Sequence, residues 1–112
     1  MAQTSPYQQI RQLDFTIKRL AITDRPETTS AAWRSYETLK RSMRAAVDRM
    51  HDYEASANEE DVRMQAKTLP PAIESLEKLR ASLLKASEYE LLSPVEIAQI
   101  SAQLDELIDR LK

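Results

Sequence analysis

The chain of 112 residues contains no glycine and no cysteine. Phosphate-binding loops of the Walker and dinucleotide types need glycine, because their backbone N–H groups must approach the anion closely. The absence of glycine therefore argues against a standard nucleotide-binding enzyme, and it removes the usual residue of hairpin turns and left-handed helix caps. The absence of cysteine excludes disulfides, thiolate chemistry and cysteine-based zinc sites.

Long apolar runs are missing as well. No uninterrupted run approaches the roughly 20 residues that span a bilayer, and residues 1–12 lack the apolar stretch of a signal peptide. We therefore expect a cytoplasmic protein with no membrane contact. The 42% apolar and 30% charged content is typical of a globular chain, and the length predicts a single helical-bundle domain over residues 1–112.

What remains is helical periodicity. Without glycine turns or clusters of β-branched and aromatic residues, the sequence predicts an all-α fold. The first helix begins with Ser5 as cap and Pro6 at its first position. A second helix, from about Ser30 to Ser56, carries a seven-residue apolar repeat typical of near-parallel helix packing. The repeat consists of Ala32, Tyr36, Leu39, Met43, Ala46, Met50 and Tyr53.

Two further helices complete the chain. Asn58 is the expected cap of the third, and Pro70–Pro71 predicts a kink, so that residues 59–90 form one bent helix or two helices in line. The apolar stripe keeps its phase across the prolines. The last helix begins at Ser93, with Pro94 in the first position and Glu96 three residues after the cap, which is the sequence of a capping box.

These elements predict an up-down four-helix bundle with a long central hairpin and a third helix kinked at Pro70–Pro71. At about 1.5 Å per residue, the two middle helices are longer than the outer ones that cover them. The end of the hairpin near residues 50–66 would therefore project with fewer apolar partners. Six residues are expected to share the core: Leu39, Met43, Leu76, Leu83, Ile100 and Leu104.

His51, the only histidine, lies in a helical segment with Asp48 three residues before it and Glu54 three residues after it. Carboxylate–histidine spacing of this kind occurs in metal sites of four-helix bundles, but those sites use a second histidine, which this chain lacks. Histidine phosphotransfer domains resemble the chain in size and architecture, yet they place a lysine and a small residue after the histidine. Here acidic residues follow His51, so we expect a solvated polar face, no metal and no cofactor.

Residues 73–110 resemble the small helical-hairpin aspartyl-phosphate phosphatases of sporulating bacteria. The resemblance lies in SLEKLRASL, a turn, and LSPVEIAQISAQLDELI. That family carries a Ser-Gln-Glu-Leu-Asp motif, which the chain matches at Ser101, Leu104 and Asp105 but not at Ala102 and Gln103. The resemblance implies an alternative function, a signalling partner that acts on a phosphorylated protein through Ser101 and Asp105. The other reading is that both residues simply flank a core stripe.

Basic residues on the second helix, Arg34, Lys40, Arg41, Arg44 and Arg49, lie near Trp33 and Tyr36, and such interleaving can bind single-stranded nucleic acid. Acidic residues share the helix, however, and the chain has a net charge of −2. We therefore expect the two aromatic residues in the core and no nucleic-acid partner, and no small-molecule substrate is evident.

Phe15 lies opposite the apolar stripe of the first helix, which indicates a second apolar face. With the projecting hairpin end, this face predicts a non-catalytic regulatory or adaptor protein that binds another protein or itself, in the simplest case as a homodimer. The candidate contact surface comprises Phe15, Ile22, Met50, Tyr53, Val62 and Met64.

Overall fold

The computed structural model describes residues 5–21, 31–58, 60–89 and 93–112. These form four helices, α1 (Pro6–Ala21), α2 (Ala31–Asn58), α3 (Val62–Ser87) and α4 (Pro94–Leu111), and the described residues contain no strand. The all-α, up-down four-helix bundle with a long central hairpin is thus confirmed. None of the described helices is both long enough and apolar enough to cross a membrane.

The predicted first residues of the first and last helices are confirmed. Ser5 Oγ accepts from the Gln8 backbone N–H at 3.2 Å, and Gln8 Oε1 accepts from the Ser5 N–H at 3.1 Å. The same reciprocal pair forms in α4, where Ser93 Oγ accepts from the Glu96 N–H at 3.2 Å and the Glu96 carboxylate accepts from the Ser93 N–H at 3.4 Å. Each pair satisfies backbone donors that a helix start otherwise leaves open.

The turn between α2 and α3 corrects one prediction. Asn58 lies in the last turn of α2, and Asp61 is the cap of α3, its Oδ1 accepting from the Met64 N–H at 3.0 Å. Glu60 has a φ of 55°, in the left-handed region. Its N–H donates to the Ala57 carbonyl and the Asp61 N–H donates to the Ser56 carbonyl, both at 3.1 Å, which is the bonding of a Schellman motif. A glutamate therefore occupies the position where glycine is usual.

Helix α3 runs unbroken through Pro70 and Pro71, so residues 62–87 form one helix rather than two in line. Neither proline has an N–H, so the carbonyls of Ala66 and Lys67 receive no backbone bond from four residues later. Both of those residues are exposed, where water can solvate the carbonyls. The kink at this point stays a prediction.

The core confirms the predicted apolar faces. All six residues expected to share the core are buried in one cluster that draws on all four helices. Helices α2 and α3 form the central pair, α1 packs on α2, α4 packs on α3, and α1 and α4 contact each other only slightly. Across α2 and α3, Ser42 Oγ and Ser82 Oγ share a hydrogen bond of 2.7 Å.

The bundle is elongated, with extents of 46 × 30 × 19 Å. Its radius of gyration is 14.7 Å, against about 13 Å for a compact domain of this length. The smallest extent corresponds to two layers of helices, since packed helices lie about 8–10 Å apart. One layer is the α2–α3 hairpin, and the shorter α1 and α4 form the other.

Candidate interaction surface

Within the described residues, α1 and α4 do not reach the hairpin tip. The rings of Tyr7, in the first turn of α1, and His51 of α2 lie 5.5 Å apart, which marks how far α1 reaches along α2. On the other covering helix, at the same end of the layer, the Lys112 ammonium lies 3.6 Å from the Glu77 carboxylate of α3. Residues 53–58 of α2 and 62–73 of α3 therefore lie beyond the described parts of both covering helices.

One side of this uncovered part of α3 is apolar. Arg80 of α3 donates to the Asp105 carboxylate of α4 at 3.0 Å, so the side of α3 that bears Arg80 faces the α4 layer. Val62 precedes Arg80 by 18 residues, about five full turns, and therefore lies on the same side. Leu69 and Ile73 lie within about 20° of that direction, at about 100° per residue.

We call this surface the hairpin ledge and define it by Tyr53, Val62, Leu69 and Ile73. Val62 is 76% exposed, and the other three are half-buried and pack against the edge of the core. On α2 the ledge continues the core stripe through Tyr53. On α3 it lies beside that stripe, since the buried Leu76, Leu79 and Leu83 lie about 40–100° around the helix from Val62. Leu69 and Ile73 were not among the predicted contact residues, although the unbroken phase of the stripe across Pro70–Pro71 already pointed to them.

Met50 was wrongly assigned to the contact surface. Its side chain is 0% exposed, because α1 begins at Pro6 and its first turns bring Ile10 and Tyr7 over this part of α2. The uncovered part of the hairpin therefore begins after His51, about one turn later than the sequence predicted.

Met64 is 45% exposed but belongs to a different side of the tip. It follows Val62 by two residues, which places it about 200° around α3 from the ledge. The two most exposed apolar side chains of the tip thus face in nearly opposite directions.

Phe15 forms a second exposed apolar position, 69% exposed on the side of α1 that faces away from the core. Ile22, which was expected to extend this surface, lies outside the described residues. The exposed neighbours of Phe15 one turn earlier on α1 are Arg11 and Gln12, so no apolar strip is built around it on that side.

Charged residues of both signs border the ledge. Arg63 lies about 100° around α3 from Val62, on the outer edge, and Glu74 follows eleven residues later on that same edge. The Lys78 ammonium holds the Glu74 carboxylate at 3.0 Å. Glu60 and Asp61 are exposed at the extreme of the tip.

Ser101 and Asp105, the residues of the alternative signalling site, are engaged in helix packing. Asp105 is held by Arg80 across α3 and α4. Ser101 Oγ is buried and has no hydrogen-bond partner among the described residues. The hydroxyl is thus withdrawn from solvent and the carboxylate is already paired, so their placement does not favour a phosphoryl-binding site.

His51 is an exposed residue. Its Nδ1 lies 3.9 Å from the carboxylate of the adjacent Asp52, and its ring meets Tyr7 edge-on. Among the described residues, no group of three or more histidine, aspartate or glutamate side chains is arranged to hold a metal ion.

Two of the basic side chains of α2, Lys40 and Arg41, contact residues of their own chain. Tyr36 is buried, as predicted, and Trp33 is half-buried, with its ring 5.3 Å from that of Tyr36. The Lys40 ammonium lies 5.0 Å from the Tyr36 ring, and Arg41 pairs with Glu37 at 3.8 Å.

A groove of about 650 Å³ runs between α1 and α2 on this side. Among the described residues that line it, basic and acidic side chains are nearly equal in number, which does not favour a polyanion. These described lining residues are Arg11, Lys40, Arg41, Arg44, Asp14, Glu37 and Asp48.

Comparison of the chain with protein-family models, with curated proteins and with solved structures finds no match.

Proposed function

We propose that this protein is a non-catalytic interaction protein of the regulatory or adaptor type, and that it self-associates in the cytoplasm. The observation that supports the proposal is the hairpin ledge, where apolar side chains beside the core remain partly or largely exposed beyond α1 and α4. Each Å² of apolar surface left in water costs about 25 cal/mol relative to burial. A long hairpin that projects an apolar side is therefore better explained by a partner than by the needs of the monomer.

Several features support a binding role over a catalytic one. The ion pairs of the described residues, such as Arg80–Asp105 and Lys78–Glu74, join partly exposed side chains on the surface of the bundle. Enzyme sites instead tend to collect perturbed groups in a concave, partly desolvated pocket. The mixed-charge groove between α1 and α2 is open and lined largely by long flexible side chains.

Self-association needs no second protein, because the partner is another copy of the same chain. Two-fold dimers are the commonest oligomers, and they need only one surface that is complementary to itself. Sedimentation equilibrium between about 1 and 100 µM tests this, the range in which interfaces of modest size become populated. We expect a monomer–dimer equilibrium within that range.

A single species of monomer mass at every concentration would contradict self-association. A pull-down from the native cell, analysed by mass spectrometry, would then identify the other protein. The signalling alternative has its own readout, since a phosphorylated receiver domain would lose its phosphate faster in the presence of this protein, and Asp105→Ala would remove that effect.

A further inference from the structure

We propose that the hairpin ledge is covered by the ledge of a second copy, in an antiparallel two-fold arrangement that packs α3 on α3 and α2 on α2. This inference rests on the proposed self-association and specifies its surface. Since the ledge lacks only the α1–α4 layer, an occupant must be one helix layer thick, apolar and about as long as the ledge itself. The hairpin tip of a second copy has these three properties.

The geometry follows from the two-layer shape. Over residues 62–73, twelve residues or about 18 Å of helix, the chain is one layer thick, whereas elsewhere α1 or α4 supplies the second layer. If two copies turn their ledges toward each other and run in opposite directions, each tip fills the layer that the other lacks. Val62 of one copy then lies over Ile73 of the second, and Leu69 lies close to the two-fold axis.

The charges on the edge of the ledge fit the same arrangement. Arg63 and Glu74 lie on one edge of α3, separated by about 16 Å and placed almost symmetrically about the middle of residues 62–73. An antiparallel copy therefore brings Arg63 near Glu74 of the second copy, and the symmetry repeats the pair at the other end. In a parallel two-fold pair, α3 of each copy would lie over α2 of the other, so Arg63 and Glu74 of the two copies would not meet.

The size of the surface sets the expected strength. A ledge about 18 Å long and two helices wide covers roughly 360 Å² in projection on each copy. Accessible area exceeds projected area, so the dimer would bury on the order of 1,000 Å² in total, close to the lower limit for a specific interface. The dimer should therefore form in the micromolar range and dissociate on dilution.

The test compares two lysine substitutions at the same tip. Val62→Lys places an ammonium group in the interface, whereas Met64→Lys adds the same charge about 200° away on the same helix. Both side chains are exposed in the monomer, so far-ultraviolet circular dichroism should show unchanged helix content. In sedimentation equilibrium we expect Val62→Lys to weaken the dimer at least about 100-fold, because each dimer would bury two unpaired charges. Met64→Lys should leave the dissociation constant unchanged.

A charge exchange tests the orientation. Arg63→Glu alone should weaken the dimer by placing two carboxylates together, and Glu74→Arg alone should do so by placing two cations together. The double variant Arg63→Glu, Glu74→Arg should restore it. Because the chain lacks cysteine, Ala66→Cys on the ledge side can also be cross-linked cleanly with a short bismaleimide. Ala55→Cys, exposed on the opposite side of α2, is the matched control and should not cross-link.

The outcomes separate this inference from the proposed function. Weakening by Val62→Lys but not by Met64→Lys, with rescue by the double variant, supports the ledge dimer. A dimer that survives Val62→Lys, or that both lysine variants weaken equally, overturns the ledge as its surface while leaving self-association in place. Should Phe15→Lys be the variant that dissociates it, the contact lies on α1. A wild-type monomer at all concentrations contradicts both.

Discussion

Replacing Glu60 with glycine should stabilise the protein, because the left-handed backbone conformation at this turn is unfavourable for a residue with a Cβ. Glu60 has a φ of 55° and donates its N–H to the Ala57 carbonyl within the Schellman motif that closes α2. The left-handed conformation costs an L-residue roughly 1–2 kcal/mol. Glycine avoids that cost but adds about 0.4–1 kcal/mol of chain entropy to the unfolded state. The expected net gain is therefore about 0.5–1 kcal/mol.

Thermal unfolding followed by circular dichroism at 222 nm measures this gain. With about 2.1 cal/mol/K of unfolding entropy per residue, a chain of this length should show a rise in Tm of about 2–4 °C. The matched control is Glu106→Gly at an exposed position within α4, where glycine should cost about 1 kcal/mol. Both variants should be measured at low protein concentration, so that self-association does not contribute to the apparent stability.

The result that refutes the reasoning is a loss of stability in Glu60→Gly comparable to that in Glu106→Gly. Glu60 would then have ordinary helical or extended backbone, and the turn would not be a Schellman motif. Glu60→Asn offers an independent check, because asparagine tolerates the left-handed region better than glutamate does and should give a smaller gain.

Other substitutions test the core, the caps and the prolines. Leu104→Ala, at a fully buried side chain, should cost about 2–5 kcal/mol in urea unfolding, whereas Leu84→Ala at an exposed site of α3 should change the free energy of unfolding by under about 0.5 kcal/mol. Ser93→Ala should cost about 0.5–2 kcal/mol through loss of the capping box, but Ser101→Ala should cost nothing, since it removes a buried hydroxyl without a partner among the described residues. The reverse ranking of these two serines would return Ser101 to functional interest. Pro70→Ala should add about 1–2 kcal/mol by restoring a helix bond, and an unchanged midpoint would show that α3 already accommodates the proline without cost.

Sequence periodicity was enough to predict which residues enter the core. Leu39 and Leu104 lie on stripes with helical spacing, and both are buried as expected. Local chemistry was likewise enough for the helix starts at Ser5 and Ser93, because a capping box depends only on residues three apart in the chain. Predictions of this kind succeed since the interactions that decide them are either local or repeated along a whole helix.

The turn after α2 shows where local rules gave a wrong answer. Asn58 and Asp61 are both good caps, and the choice between them depends on where α2 ends. Helix α2 continues to Asn58 because the Schellman bonds from Glu60 and Asp61 close its last turn. In this turn a glutamate adopts a backbone conformation that favours glycine. Because the chain has no glycine, the sequence did not indicate that a Schellman motif ends α2.

The chain's own residues determined the four helices, their apolar sides and the excess length of the central hairpin, because these depend on short-range periodicity and end signals. Only the tertiary structure determined how much of the central hairpin α1 and α4 cover. Whether Met50 is buried or exposed depends on how far α1 reaches along α2, and the contact of Tyr7 with His51 shows that α1 reaches it. The same holds for Val62 and Ile73, which share a side of α3 with Arg80 but lie beyond the end of α4. A stripe of apolar residues determines which side of a helix packs against a neighbouring helix. Only the relative placement of the helices determines which part of that side remains exposed to solvent.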